Sequence, residues 1–590
     1  MVERKTMRKR FIAILLLVAV IASSAFAYSN QQKVHSVDSG IYKAMETLYI
    51  LAGKSLPSSA GPWSEAELQM MLDRIDRSSL PQNAQKYYDY VQSRITTEPK
   101  LQYKDNFAMQ FGLDVDLELY YHTNGDSFKE YTDWFHSYTY RGKFLNFTFE
   151  TWPTDTFYGY FSLALSNGIG HDLGREEGNR LYKVPFTFNI PILDSIVFKT
   201  ADSMFDNFNW SVPDRAFAAI GGQQWSFMAG RDKLSWGNGE TGNLMLSDSF
   251  PVHTMARFNT FFDVFKYSMV ATIYPFDATN GQYDSLDGYK AMLVHRVEFN
   301  LFNNKVGFAL NEACMFWSNP NAHTGAQDFV LAQVNPFGFM HNEYIPRNAN
   351  SLLVFEANYT PVAGLNIYCQ FAVDEFSGPG EGKWNPAAFG FLAGVKGAIA
   401  RNKGIVTGSL EFAKTDPYLY IRGLHYDTEE ASGYGYDAIY RSFNMGIQNA
   451  RMFTTYTYGN DVILVDGKAA YEMPGVFKAG FEALYMMHGT MDINSRWGMY
   501  QGNDDPTPVV STPSEYNVFD PADYNYETHE ILQKHPVETR IVLSFSGEYQ
   551  VLDNLSASLA ADFIIIRNKD NVADNNQNDV QITAGIRYSI

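Results

Sequence analysis

Two hydrophobic periods divide the chain. From about Ser36 to Ile95 apolar residues recur at helical spacing. Val37, Ile41, Ala44, Met45, Leu48 and Leu51 share one face, and Gly53 ends the run. Ser64 and Glu67 then form a capping box ahead of the stripe Leu68, Met71, Leu72 and Ile75. A third helix is predicted from Gln82 to Arg94, after Pro81. Together these predict a small helical cap over residues 28–99.

From Lys100 the period becomes two. Phe107, Met109, Phe111, Leu113, Val115, Leu117, Leu119 and Tyr121 alternate with a polar or small row that contains Asp114, Asp116 and Glu118. About fifteen residues is long for a soluble strand and suits one that crosses a bilayer at a tilt. The same alternation returns at Leu145–Glu150, Leu365–Asp374, Leu555–Ile565 and Val580–Ile590. Lipid offers no hydrogen-bond partner to an open sheet edge, so such strands must close on themselves. The remaining chain, at about 27 residues per strand and connection, predicts an all-β antiparallel transmembrane barrel of roughly 18 strands (about 16 to 20) over residues 100–590.

The start of the chain adds an address. Arg8, Lys9 and Arg10 precede the apolar run Phe11–Ile21, and Ala25-Phe26-Ala27 follows as a small-x-small cleavage signal, so residues 1–27 read as a secretory signal peptide. An aromatic share of 15% fits lipid-facing rows and interfacial belts. The formal charge of -19 over 590 residues argues against a nucleic-acid partner, because phosphate contacts need clustered Lys and Arg. Removing the leader, which carries a net positive charge, makes the mature chain more acidic still. The two cysteines, Cys314 and Cys369, are too few for a disulfide framework or a cysteine zinc site; a bond between them stays open.

The stretch Gly230-Arg231-Asp232-Lys233-Leu234-Ser235-Trp236-Gly237-Asn238-Gly239-Glu240-Thr241-Gly242-Asn243-Leu244-Met245-Leu246-Ser247 is unlike the strands and predicts a connection folded against the barrel end or into its lumen. Here the chain resembles the capsule assembly Wzi family, which carries a similar G-R-D-x-L-x-W-G element leading through glycines into L-x-L-S. His295-Arg296-x-Glu298, Asn311-Glu312, Asn335-Pro336, Asn350 and Asp374-Glu375 follow in the same order. The resemblance implies an outer-membrane barrel of about 18 strands with periplasmic helices, a lectin-like protein that binds capsular or other surface polysaccharide, and no catalysis.

A saccharide site uses aromatic faces ringed by convergent polar groups. Trp236, Arg231, Asp232 and Asn238 offer that mixture, with Arg296 beside them as a lumen cation. The same residues also suit a plug, with Trp236 packed and Arg231 paired to a lumen carboxylate. Asp114, Asp116 and Glu118 form an inward acidic row that needs counter-charges, for which Arg296 and Arg231 are the candidates. Two polar segments, His425–Tyr440 and Gln501–Glu530, are expected outside the membrane. No nucleophile elbow, zinc-protease, phosphate-loop or paired-cysteine motif is present, and no cofactor or metal is expected. The expected partners are outer-membrane lipid, surface polysaccharide and the barrel assembly machinery. A porin-like diffusion channel is the competing function, for which the acidic row would favour cations.

Overall fold

A computed structural model gives the fold. It describes residues 31–95, 99, 101–103, 107–124, 143, 145–167, 186–188, 208–211, 215–250, 252–275, 289–318, 349–375, 388–401, 403–421, 435–442, 446–493, 496–501, 506–511, 524–525, 530–531 and 536–590. The leader, Asn335-Pro336, residues 425–434 and most of Gln501–Glu530 lie outside the described residues.

Eighteen strands close into one antiparallel ring. They are β1 (Phe107–His122), β2 (Leu145–Thr154), β3 (Phe157–Asn167), β4 (Ala216–Gly222), β5 (Trp225–Asp232) and β6 (His253–Phe261). Next come β7 (Phe265–Pro275), β8 (Tyr289–Leu301), β9 (Val306–Ser318), β10 (Ala349–Val362), β11 (Leu365–Glu375) and β12 (Ala388–Arg401). The ring is completed by β13 (Gly404–Thr415), β14 (Val462–Met473), β15 (Phe477–His488), β16 (Glu538–Leu552), β17 (Leu555–Arg567) and β18 (Gln577–Ser589). Each strand pairs with its neighbour in sequence, and β18 returns to β1, from Gln581↔His122 to Ser589↔Asp114.

The alternation is inverted relative to a soluble sheet. On β17 the apolar row Leu559, Phe563 and Ile565 faces out, 58%, 45% and 37% exposed, while Asp562 on the other row is buried. Apolar outside and polar inside is the arrangement that lipid selects. One end of the barrel carries short turns, such as residues 155–156, 223–224, 363–364 and 553–554. At the opposite end the connections run from nine residues (568–576) to several tens, a marked asymmetry.

Three helices, α1 (Gly40–Leu51), α2 (Glu65–Asp73) and α3 (Gln82–Ile95), sit on the short-turn end. Ser64 Oγ accepts from the Glu67 amide at 3.4 Å, the first half of the expected capping box. The Glu67 side chain is instead taken by the Lys266 ammonium of β7, which ties the cap to the wall. Met45, Leu48, Leu68, Met71, Leu72, Ala84 and Val91 form the cap core, and Ile405 of β13 joins it. The cap meets the short turns through backbone groups: Ser55 N donates to Asn304 O at 2.6 Å, and Gly364 N donates to Ile50 O at 2.8 Å.

Candidate functional site

The lumen is the place where the chain concentrates polar chemistry, and two segments fill much of it. From the short-turn end, residues 54–62 run along the inner wall. Thr360 Oγ1 donates to Lys54 O at 2.6 Å, Leu56 N donates to Asn358 Oδ1 at 2.8 Å, and Ser58 Oγ donates to Glu298 at 3.1 Å. Arg296 holds the same segment through Ser59 while also binding Glu356, Glu298 and Asn311.

From the long-loop end, the connection between β5 and β6 dips inward to meet it. Ser235–Trp236 pairs with Ala60–Gly61, and Trp236 Nε1 donates to Gly61 O at 3.2 Å. Trp236, Leu244 and Leu246 are fully buried in a core that includes Met228, Val270, Val294, Val354, Leu392 and Leu464 from the inner rows of many strands. The polar residues of the plug are satisfied by the wall. Leu244 N donates to Gln370 Oε1 at 2.9 Å, Glu240 N and Thr241 N donate to Glu411 at 2.8 and 2.9 Å, and Tyr420 on the long-loop side donates to Leu244 O at 2.9 Å. Two glycines permit the path. Gly237 has φ +136° and Gly242 φ +127°, and a Cβ on either would collide with Asn243 and Gln370, or with Thr457.

An ion network locks the plug to the cap. Glu240 lies 3.0 Å from Lys43 of α1 and 2.7 Å from Lys396 of β12, and Lys396 also reaches Glu46 of α1 at 2.6 Å. Lys468 of β14 donates to the Glu240 carbonyl at 2.8 Å. Burial alone would push the Glu240 carboxyl up, but the ammoniums of Lys396, Lys43 and Lys468 together hold it well below the usual range. In the cap, burial lowers His35 to about 3 and raises Glu65 to about 9. Their 3.5 Å approach is therefore a contact of two neutral groups at pH 7, not an ion pair.

The sequence-derived residues take these places. Trp236 is packed, and Asp232 is buried at 0% exposure with Arg215 Nε 2.5 Å away. Arg215, just before β4, holds the position expected for Arg231. Arg231 itself lies across from Ala216 and Thr254, on the outward row of Trp225 and Phe227, because strand β5 extends to Asp232 and alternation fixes its side. The first three residues of the glycine-rich stretch are thus strand. Asn238 and Arg296 line a notch of about 10 Å³, room for one water and far too small for a sugar ring. Asp114, Asp116 and Glu118 share the inner row of β1, but the counter-charge is Arg587 of β18, 2.7 Å from Asp116, in place of Arg296 or Arg231. Asn146 donates to Asp114 at 3.2 Å. Cys314 and Cys369 are both free, one paired across β10 with Ser351 and the other with Ala357, six residues apart along that strand. No cluster that could hold a metal occurs among the described residues.

Sequence reasoning missed Arg215, Lys396, Glu411 and Lys468. Lys396 and Glu411 are single charges on the inner rows of their strands and Arg215 stands at a strand edge, and that isolation was the available signal; Lys468 shares its inner row with Asp466 and Glu472. A lone charge facing a lumen has no meaning until the plug it touches is in place.

A closed eighteen-strand barrel with apolar outer rows and a filled lumen defines the class: an outer-membrane-type β-barrel. Among solved structures the chain is similar to Wzi, an outer-membrane protein involved in group 1 capsule assembly in Escherichia coli and described as a carbohydrate-binding β-barrel. Identity is 12%, 94% of this chain and 98% of that chain are covered, and the TM-score is 0.54. OprD of Pseudomonas aeruginosa follows at 9% identity, 82% and 95% coverage and a TM-score of 0.33. The outer-membrane channel DcaP of Acinetobacter baumannii is at 7%, 84% and 100%, and 0.34. No family model matches the chain, and no curated protein does. At these identities the likeness to Wzi shows a shared fold.

Proposed function

We propose that this barrel holds a surface polysaccharide at the outer face of the outer membrane, with the helical cap in the periplasm and the long connections outside. The filled lumen carries the reading. Trp236, Leu244 and Leu246 are sealed into the wall, and a segment from each end meets inside, which suits a fixed surface anchor better than a sieve. The carbohydrate binding described for Wzi supports the same direction. Such a role needs no catalytic group and no cofactor; insertion by the barrel assembly machinery fits the fold. A deletion strain should release polymer into the medium without making less of it, and unchanged surface-bound glycan in that strain would end the proposal.

A diffusion channel is the second reading, favoured by one feature. On the short-turn half of β15 to β18, the inward residues Lys478, Ser546, Glu548, Ser558 and Arg587 are exposed. Above them Leu484, Val542, Ile564 and Ile566 are buried and apolar. Planar-bilayer recording separates the two readings. The anchor predicts rare, small conductance steps, whereas a channel predicts steady open-channel current.

A further inference from the structure

One group of inward side chains is left out of the bonding that fills the rest of the plugged lumen. On β5, β6 and β7, Ser226, Asn259 and Ser268 stand opposite one another in register on the inner row. Arg257 lies two residues along β6 on the same row, across from Met228 and Val270. All four polar residues are at most 1% exposed. Arg257 Nη1 donates to Pro62 O, the end of the segment that enters from the cap. Its Nε and Nη2, both amide atoms of Asn259 and the hydroxyls of Ser226 and Ser268 have no hydrogen-bond partner among the described residues. The next position in the row is the opposite case: Arg296, across from Ser268, bonds through all three of its nitrogens.

The charges nearby do not settle Arg257. Glu67 and Asp232 are the carboxylates whose fields reach it, yet Lys266 holds the first and Arg215 the second. A buried guanidinium without a counter-charge in contact is strongly destabilising, and each unbonded polar atom beside it adds to the cost. We propose that Arg257, Asn259, Ser226 and Ser268 form a site for one monovalent inorganic anion of halide size, chloride in chemistry, which ties the segment at residues 54–62 to the wall. Donors outnumber acceptors there. The free guanidinium N–H groups, the Asn259 amide and a rotatable hydroxyl on either side can all point at one ion. Asn259 lies between the two serines, and residues directly opposite on paired strands have Cβ atoms about 5 Å apart, within reach of a shared monatomic ligand. A water molecule would bring two hydrogens of its own and no charge. Phosphate or sulfate would carry more charge into a place closed to solvent, at a larger cost of dehydration.

The test uses full-length protein in mild detergent, equilibrated in gluconate buffer at fixed ionic strength. Replacing gluconate by chloride or bromide should raise the midpoint of thermal unfolding, read as heat-modifiable mobility, and the rise should saturate. Crystals grown in bromide should show an anomalous peak beside Arg257. Asn259→Leu keeps the cation and removes the amide, so it should raise the halide concentration for half of that rise by about tenfold, the loss of one hydrogen bond to an ion. Arg257→Gln should abolish the halide response. Should Arg257→Gln fail to fold, Ser268→Ala, a smaller change, should weaken the response in the same direction as Asn259→Leu. Lys478→Gln, which removes an exposed cation on the inner row of β15, should leave the response unchanged, separating a site from general screening. Equal midpoints in gluconate and chloride would overturn the proposal, as would a response that Asn259→Leu leaves intact. An ordered water in place of bromide beside Arg257 would overturn it too.

Discussion

At the scale of single residues, the barrel separates charges that belong to the wall from charges that hold the plug. Asp232 has no exposure and forms an ion pair with Arg215. Removing Arg215 leaves a carboxylate buried without its counter-charge, which costs about 3–5 kcal/mol. Arg215→Ala should therefore lower the midpoint of thermal unfolding, read as loss of heat-modifiable mobility. Arg231→Ala, on the outward row, leaves that buried pair intact and should lower the midpoint less. The sequence alone could not make this distinction. Arg231 stands beside Asp232 in the chain, but neighbours on a strand point to opposite faces, so the partner had to come from another element. Gly237 is a second single-residue case. With φ +136° and Asn243 standing where a Cβ would go, Gly237→Ala should cost more than about 1 kcal/mol and speed proteolysis within residues 237–243 of the folded protein.

At the scale of elements, the helices and strands were legible because each repeats one physical rule over many residues. Of the predicted stripe, Leu68, Met71 and Leu72 lie buried in α2 and Ile75 is buried just beyond its end, and the eight-residue apolar row of β1 lies on one face from Phe107 to Tyr121. The plug was legible only as an exception to the strand pattern. Its depth in the lumen depends on partners such as Glu411 and Gln370, more than a hundred residues away, that no local pattern links to it. The cap has its own pH response. Glu65 keeps its proton to about pH 9 when folded but loses it near 4.5 when unfolded, so rising pH across that interval removes stability. His35 stays neutral down to about pH 3 when folded but protonates near 6.5 when unfolded, so falling pH across that interval removes stability too. The two slopes oppose one another between about pH 4.5 and 6.5, where the cap should be most stable. Hydrogen exchange of α1 and α2, corrected for intrinsic rates, should slow most in that window. Glu65→Gln should abolish the alkaline decline and leave the acid one.

At the scale of the whole molecule, Glu240 joins three bodies: the cap through Lys43, the wall through Lys396 and the long-loop side through the neighbouring Thr241, which bonds Tyr456 at 2.8 Å. Glu240→Gln removes the charge that three ammoniums share. Exchange should then accelerate in α1 and in residues 454–460 together, while Thr241→Val should disturb only the second. Independent responses to Glu240→Gln would mean that the two ends are not energetically linked. The acidity of the chain also gains an account at this scale. Around the long-loop rim, Asp374, Asp461 and Asp579 accept backbone N–H groups from the adjoining connections, Tyr420 N at 2.7 Å, Met491 N at 3.0 Å and Thr123 N at 2.8 Å. Those carboxylates hold loops in place and need no polymer or metal to justify them.

The seam between β18 and β1 sets an order of events. The first and last strands of the ring are neighbours, so the wall stays an open sheet until the far end of the polypeptide arrives. Only in the shut ring do the segment at residues 54–62, which enters from the capped end, and the connection at Trp236, which descends from the long-loop end, find wall on every side. The β18–β1 pairing is the fastener of this barrel: it completes the wall around contents that reach in from both ends.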